Sequence, residues 1–305
     1  MPSSALLDAP SRRRLSRFVA AFGLVAALAT ANAVTSPAAG ANVATSAPVS
    51  AGAVLAPAVV PDDEVPYVTG PHPYSVSTVA DWRTPLEFGA VDLFTPDDIE
   101  GRLPAVVVMP GLTDSRSTVR YIAEDLAGHG FVVMLTDSFS IADIDLPRTT
   151  AMRRAISWLS NSSPARSRVD SGRIGVWGFS YGGAAALNMG AEGRARAVVS
   201  VFPLATLALY PRLSAPTLVL GGENDIIAAP ATNARIAYNR ATGVKAYGQL
   251  DRAQHLDPTN DDGAISSMTV SWFKIHLGVN GEYSQFLCPR PNDPYVEVWE
   301  SRGLC

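Results

Sequence analysis

The 305-residue chain is nearly devoid of cysteine: it has two, Cys288 and Cys305, both close to the C-terminus. So few exclude a disulfide-stapled scaffold and a thiolate metal centre, which need several cysteines at short spacings. Histidine is almost as scarce, with four in all, so any imidazole base must be His72, His129, His255 or His276. Basic residues are outnumbered, 24 Lys and Arg against 28 Asp and Glu, for a formal net charge of −4. That balance offers no cationic surface and argues against nucleic acid as a partner. Only one long apolar run occurs, near the N-terminus, and there are no repeats, so a multi-span membrane protein and a repeat array are excluded.

The single apolar run has the layout of an export signal. Arg12, Arg13, Arg14 and Arg17 form a positive start, residues 18–30 an apolar stretch, and Ala31-Asn32-Ala33 a small-residue cleavage site. It is shorter than the roughly 20 residues a spanning helix needs, so 1–33 are expected to be removed and the protein secreted to the extracellular space. Ser11-Arg12-Arg13-Arg14-Leu15 also resembles a twin-arginine signal. Residues 34–66, rich in Ala, Val, Pro, Ser and Thr and uncharged before Asp62, read as a flexible leader. The remaining 67–305 suit one domain with a substantial core, expected to be a monomer without a membrane anchor. In an oxidising compartment Cys288 and Cys305 are expected to pair, closing a segment rich in proline and charge that has little chance of packing unaided. A loop of that size makes such a bridge worth about 3 kcal/mol.

Along 67–305, strand and helix patterns alternate. Strands are expected at 86–94, 104–109, 131–135, 173–177, 197–202, 217–220 and 245–250, and helices at 118–127, 149–159, 232–241 and 266–277, with one more after residue 180. The alternation implies an α/β fold: a mostly parallel sheet with helices on both faces and reactive groups at the C-terminal ends of the strands.

The richest stretch is Arg173 to Gly183, R-I-G-V-W-G-F-S-Y-G-G. It sets Ser180 between Gly178 and Gly182 where a strand of Ile174, Val176 and Trp177 meets a helix of small residues. A serine forced into so sharp a turn needs neighbours without side chains, and the turn lifts its hydroxyl clear of the sheet. Free N–H groups at the helix start face any anion that forms nearby. Ester or amide cleavage by Ser180 is the reading this supports.

An activated serine needs a base, and the base needs an orienting carboxylate. His72 lies far upstream among prolines, His129 in a helix-to-strand turn and His276 within the last helix. His255 stands in a loop after the strand ending at Leu250 and is the candidate base. Asp225, directly after T-L-V-L-G-G, is the candidate acid, with Glu223 on the same turn and Asp251 and Asp257 as rivals. The oxyanion donors are expected from the backbone N–H of Tyr181, after the nucleophile, and of Leu112, in Met109-Pro110-Gly111-Leu112. Between Ser180 and His255, strands and helices consume nearly all residues, so no lid is expected and the site should be open. The acidic pairs Asp97-Asp98 and Asp261-Asp262 are read as solvated loop charges rather than a calcium site. No cofactor or metal is expected.

Several of these segments carry a family resemblance. Between about Gly70 and Cys305 the chain has G-P-H-P-Y-S-V-S-T-V, P-G-L-T-D-S-R-S-T-V, G-H-G-F-V-V, the elbow, P-T-L-V-L-G-G-E-N-D-I-I-A and the tail Y-S-Q-F-L-C-P closed by Cys305. In these it resembles the bacterial cutinases and polyester hydrolases of the α/β-hydrolase superfamily, the group that includes poly(ethylene terephthalate) hydrolases. The resemblance implies secreted ester hydrolysis by Ser180, Asp225 and His255, oxyanion donors Leu112 and Tyr181, an ester or polyester substrate and a C-terminal disulfide.

The chain also departs from that family. Members active on aromatic polyesters usually carry an aromatic residue where this chain has Leu112, methionine where it has Tyr181, and tryptophan where it has Leu204. An aromatic clamp on the substrate would have to be rebuilt from Tyr181 and Phe202, which places aliphatic esters and polyesters at least level with aromatic ones. G-F-S-Y-G-G also looks like the elbow of prolyl-oligopeptidase-type peptidases, but nothing before Gly70 could form their propeller domain. A non-catalytic hydrolase fold used for binding is the other alternative; such proteins typically lose a triad member, and none is missing here.

Overall fold

Runs of Val, Ile and Leu that are apolar on both faces form strands only when helices cover both sides of the sheet. The computed structural model describes residues 65–66, 69–205, 210 and 212–305. The export signal expected over 1–33, and all but the last two residues of the 34–66 leader, lie outside the described residues. Nine strands appear in chain order: β1 (Tyr74–Val79), β2 (Phe88–Pro96), β3 (Leu103–Met109), β4 (Val132–Ser138), β5 (Val169–Phe179), β6 (Ala197–Val201), β7 (Thr217–Gly222), β8 (Lys245–Leu250) and β9 (Val296–Arg302). They form one sheet in the order β1-β2-β4-β3-β5-β6-β7-β8-β9. The six strands from β4 to β8 in that order are parallel, while β1, β2 and β9 run antiparallel at the edges.

Among the described residues five α-helices cover the sheet: α1 (Arg120–Gly128), α2 (Asp145–Asn161), α3 (Tyr181–Ala191), α4 (Ala234–Arg240) and α5 (Gly263–His276). α1 and α5 pack with Phe94, Val106, Trp177 and Leu218 on one face. α2, α3 and α4 pack with Leu93, Val107, Val176 and Val219 on the other. Alternate residues of each strand supply the two faces, as a pleated strand buried on both sides requires. Trp177 and Trp272 are fully buried in the first layer, where the Trp177 indole N–H donates to Thr269 Oγ1 at 3.2 Å.

Most expected elements form, with instructive differences. The strand expected over 245–250 occupies those residues, whereas α2 begins at Asp145 rather than 149, because Pro147 is tolerated in a first turn where its missing N–H costs nothing. The two strands not anticipated, β1 and β9, are both edges with exposed faces and lack an apolar run. The C-terminal segment read as a loop therefore packs after all: β9 adds to β8 by backbone pairing, and the Cys288–Cys305 disulfide, Cα to Cα 5.8 Å, ties it to the end of the helical part. No helix of the described residues is long and apolar enough to cross a membrane.

The sheet's register prepares the site. Met109 pairs with Gly178 at the last rung of the β3–β5 ladder, and Gly222 with Leu250 at the last rung of β7–β8. The loops leaving these strands thus emerge side by side at the C-terminal edge.

Candidate active site

Ser180 joins β5 to α3 with φ 55° and ψ −121°, a conformation L-residues avoid and which a nucleophile-bearing elbow imposes. Its glycine neighbours are steric necessities. A Cβ on Gly178 would lie 2.0 Å from the Gly182 carbonyl oxygen, and one on Gly182 would lie 2.4 Å from that of Met109. The backbone of the β3 loop is thereby pressed against the start of α3.

His255 reaches the serine from the loop after β8. Its Nε2 lies 3.0 Å from Ser180 Oγ, and its Nδ1 lies 2.7 Å from Asp225 Oδ2. All three residues are buried, with Asp225 at 3 % exposure and His255 at 7 %. The other oxygen of Asp225 accepts backbone N–H groups from Ile227 at 2.9 Å and Ala228 at 2.7 Å, which locks the carboxylate in orientation. The Phe179 ring packs 5.2 Å from the imidazole, centroid to centroid. A serine, an imidazole and a carboxylate in this sequence of contacts can pass a proton from the hydroxyl and hold the resulting imidazolium.

The rivals for the acid role are occupied elsewhere. Glu223 accepts the backbone N–H of Arg252 at 2.8 Å, Asp251 pairs with the Arg252 guanidinium, and Asp257 accepts the N–H of Gln254. Of the remaining histidines, His72 pairs with Asp98 at 3.1 Å, His129 is fully buried behind α1, and His276 ends α5. Asp262 caps α5 by accepting from Ala264 and Ile265. Among the described residues no group of three or more His, Cys, Asp or Glu side chains is placed to hold a metal.

The loop after β3 lies against Ser180, since a Cβ on Gly111 would meet Ser180 Cβ at 3.0 Å. Among the described residues, neither the N–H of Leu112 nor that of Tyr181 is given to a protein acceptor. Two free N–H groups beside a serine hydroxyl suit a developing oxyanion. Arg148, for which the sequence carries no signal, shapes this loop. It is fully buried, and it donates to the carbonyls of Pro110 at 2.8 Å and Asp143 at 3.0 Å. Burial pushes its guanidinium down to about 10, against the pull of Asp143 and Asp114. Thr113 adds a second tie, donating its N–H to the Ile141 carbonyl at 2.7 Å with φ 66°. At the loop's far end Arg116 bridges Asp137 and Asp92.

One expected substrate residue needs correction. Phe202 is fully buried, with φ 45°, and its ring sits against Gly222 inside the core, so it offers no face to a substrate. Leu204 and Tyr181 remain partly exposed. The apolar surface lies elsewhere: Phe139, Ile141 and Leu146 on the loop and helix start after β4, Ile226 and Ile227 beside Asp225, and Leu256 beside His255 are all exposed. Sequence offered no signal for these, because exposed apolar residues in loops form no periodic pattern.

An elbow serine after a central parallel strand, with its base and acid on loops after two later strands, defines an α/β-hydrolase. The family model for PET hydrolase-like proteins matches residues 57–305, and the chain belongs to that family. It is 34% identical over 239 residues to a bis(hydroxyethyl) terephthalate hydrolase of Streptomyces coelicolor, covering 76% of each chain. It is 32% identical over 258 residues to cutinase 1 of Thermobifida cellulosilytica, covering 79% of this chain and 98% of that one. A cutinase of Thermobifida fusca is likewise 32% identical over 258 residues, 79% of this chain and 85% of its own. The protein is a carboxylic ester hydrolase.

Proposed function

We propose that this ester hydrolase works through an acyl-enzyme on Ser180, with His255 as general base, Asp225 as its orienting acid, and the N–H groups of Leu112 and Tyr181 as oxyanion donors. The observation that carries the reading is the unbroken contact chain Ser180 Oγ to His255 Nε2 at 3.0 Å and His255 Nδ1 to Asp225 Oδ2 at 2.7 Å. His255 takes the hydroxyl proton as Ser180 attacks the ester carbonyl and returns it to the leaving alcohol. Water then repeats the sequence on the acyl-enzyme.

The substrates we propose are hydrophobic esters, including aliphatic polyesters. Relatives named cutinase and bis(hydroxyethyl) terephthalate hydrolase support a bulky ester. Exposed Phe139, Ile141, Leu146, Ile226, Ile227 and Leu256 on the loops around the triad support an apolar one. The aliphatic preference rests on Leu112 and Leu204 standing where an aromatic clamp would need rings. An uncovered groove belongs to the same reading, since the connection between β7 and β8 carries α4 packed against the sheet. The N-terminal 33 residues would direct export, and their loss removes four arginines and one aspartate, leaving a more acidic secreted monomer with no affinity for nucleic acid.

Hydrolysis rates on nitrophenyl esters of increasing acyl length, and on aliphatic and aromatic polyester films, test this. The expected order places the aliphatic film at or above the aromatic one. A protein that cleaves only acetate-sized esters, or the aromatic film alone, would contradict it.

A further inference from the structure

Asp114 is a carboxylate beside the nucleophile that ester hydrolysis does not use. It lies on the loop after β3, two residues past Leu112. A Cβ built on Gly111 would meet Asp114 Oδ2 at 3.0 Å, Ser180 Cβ at 3.0 Å and Phe179 Cδ1 at 3.1 Å. Carboxylate, nucleophile and the ring that packs on the imidazole therefore border one small space. Asp114 is half-buried and makes no hydrogen bond or ion pair among the described residues. Burial raises its carboxyl above the ordinary range, while Arg148 and His255 pull the other way, so both side chains lie within its field. The Arg148 guanidinium donates to backbone carbonyls instead of to this carboxylate.

A fixed anion at that position acts unequally on different substrates. With a neutral ester, the attack creates an imidazolium and an oxyanion together, so the reacting groups gain no net charge and the field of Asp114 favours one as it disfavours the other. An ester that carries a carboxylate near the scissile bond brings a full negative charge into the space, and one that carries an ammonium brings a positive one. In a partly buried site a charge pair a few ångströms apart is worth far more than in water.

We infer that Asp114 sets the charge selectivity of this site, disfavouring esters with a carboxylate close to the scissile bond and favouring esters with a cation there. The inference rests on the catalytic roles proposed above. One consequence is that a dicarboxylic diester is cut once readily and its anionic half-ester slowly, since the first cleavage itself creates the disfavoured charge.

The test compares ethyl butyrate, monoethyl succinate and butyrylcholine, similar in size and differing in charge, at about pH 8 and low salt. Each kcat/KM is referred to that of ethyl butyrate with the same variant, so loss of folded protein cancels. In Asp114→Asn the succinate ratio should rise about three- to tenfold and the butyrylcholine ratio should fall by a similar factor. Asp114→Glu should keep the parent order, and molar salt should shrink the contrast in the parent. Ratios that move in the same direction, or do not move, would overturn the inference. The Ser180→Ala variant separates the two claims. If it has lost ethyl butyrate hydrolysis, the catalytic reading stands whatever Asp114 does; if it has not, that reading falls first.

Discussion

Arg148 Nη1 donates a 2.8 Å hydrogen bond to the carbonyl of Pro110, joining the first turn of α2 to the loop that lies against Ser180. The same guanidinium holds the carbonyl of Asp143, so one buried cation ties together two loops of the site without touching a substrate. Arg148→Met should leave that loop untethered and lower kcat by about ten- to a hundredfold, less than loss of an oxyanion donor itself. KM should change little, and Arg148→Lys should recover part of the loss. Steady-state kinetics on a nitrophenyl ester, beside a thermal melt of each variant, decides whether the effect is on turnover or only on stability.

Asp225 presents one oxygen to His255 and the other to two backbone N–H groups. Asp225→Asn keeps the shape but can turn an N–H toward the imidazole, favouring the wrong tautomer. A fall in kcat of roughly 10⁴ is expected, with the melting temperature within a few degrees of the parent. Glu223→Gln, whose parent carboxylate accepts from Arg252 N–H, should cost less than tenfold by the same assay.

Two glycine substitutions should part in sign. Gly182→Ala drives a methyl into the Met109 carbonyl and should cost at least about 2 kcal/mol along with most activity. Gly263→Ala, at the start of α5 with open space around it, should be neutral or stabilising by about 0.5 kcal/mol. Thermal melts of the two read this directly.

Burial pushes the His276 imidazole down to about 4, and its Nε2 lies buried with no hydrogen-bond partner among the described residues, beside the Trp272 ring at 4.2 Å. The unfolded chain, titrating near 6.5, binds more protons than the folded one between those values. Stability is therefore full above about pH 6.5 and declines on acidification toward pH 4, by up to about 2 kcal/mol. Asp125 and Asp262, raised by burial, pull the other way at the acid end. The difference between the parent and His276→Phe isolates the histidine: melting temperature against pH should be flatter in the variant over this window.

Some of this was legible in the chain and some was not, for physical reasons. Ser180 announces itself because its turn demands glycine at 178 and 182, and backbone constraints leave marks on sequence. His255 and Asp225 could be picked out because parallel strands deliver their reactive groups at one edge and few candidates stood there. Phe202 could not, since one residue past a strand end the alternation of faces no longer says which way a ring points, and here it turns into the core. The edge strands β1 and β9 were hidden because backbone pairing, not a buried apolar run, holds them. Arg148 and Asp114 owe their importance to loops folding over them, which no local pattern records.

The central claim is that Ser180 is the nucleophile. Peptide mapping by mass spectrometry after exposure to a fluorophosphonate tests it most directly. One adduct per chain, on the peptide that contains Ser180 and absent from Ser180→Ala, is the predicted result. Labelling of a different residue, or none while ester hydrolysis continues, would contradict it.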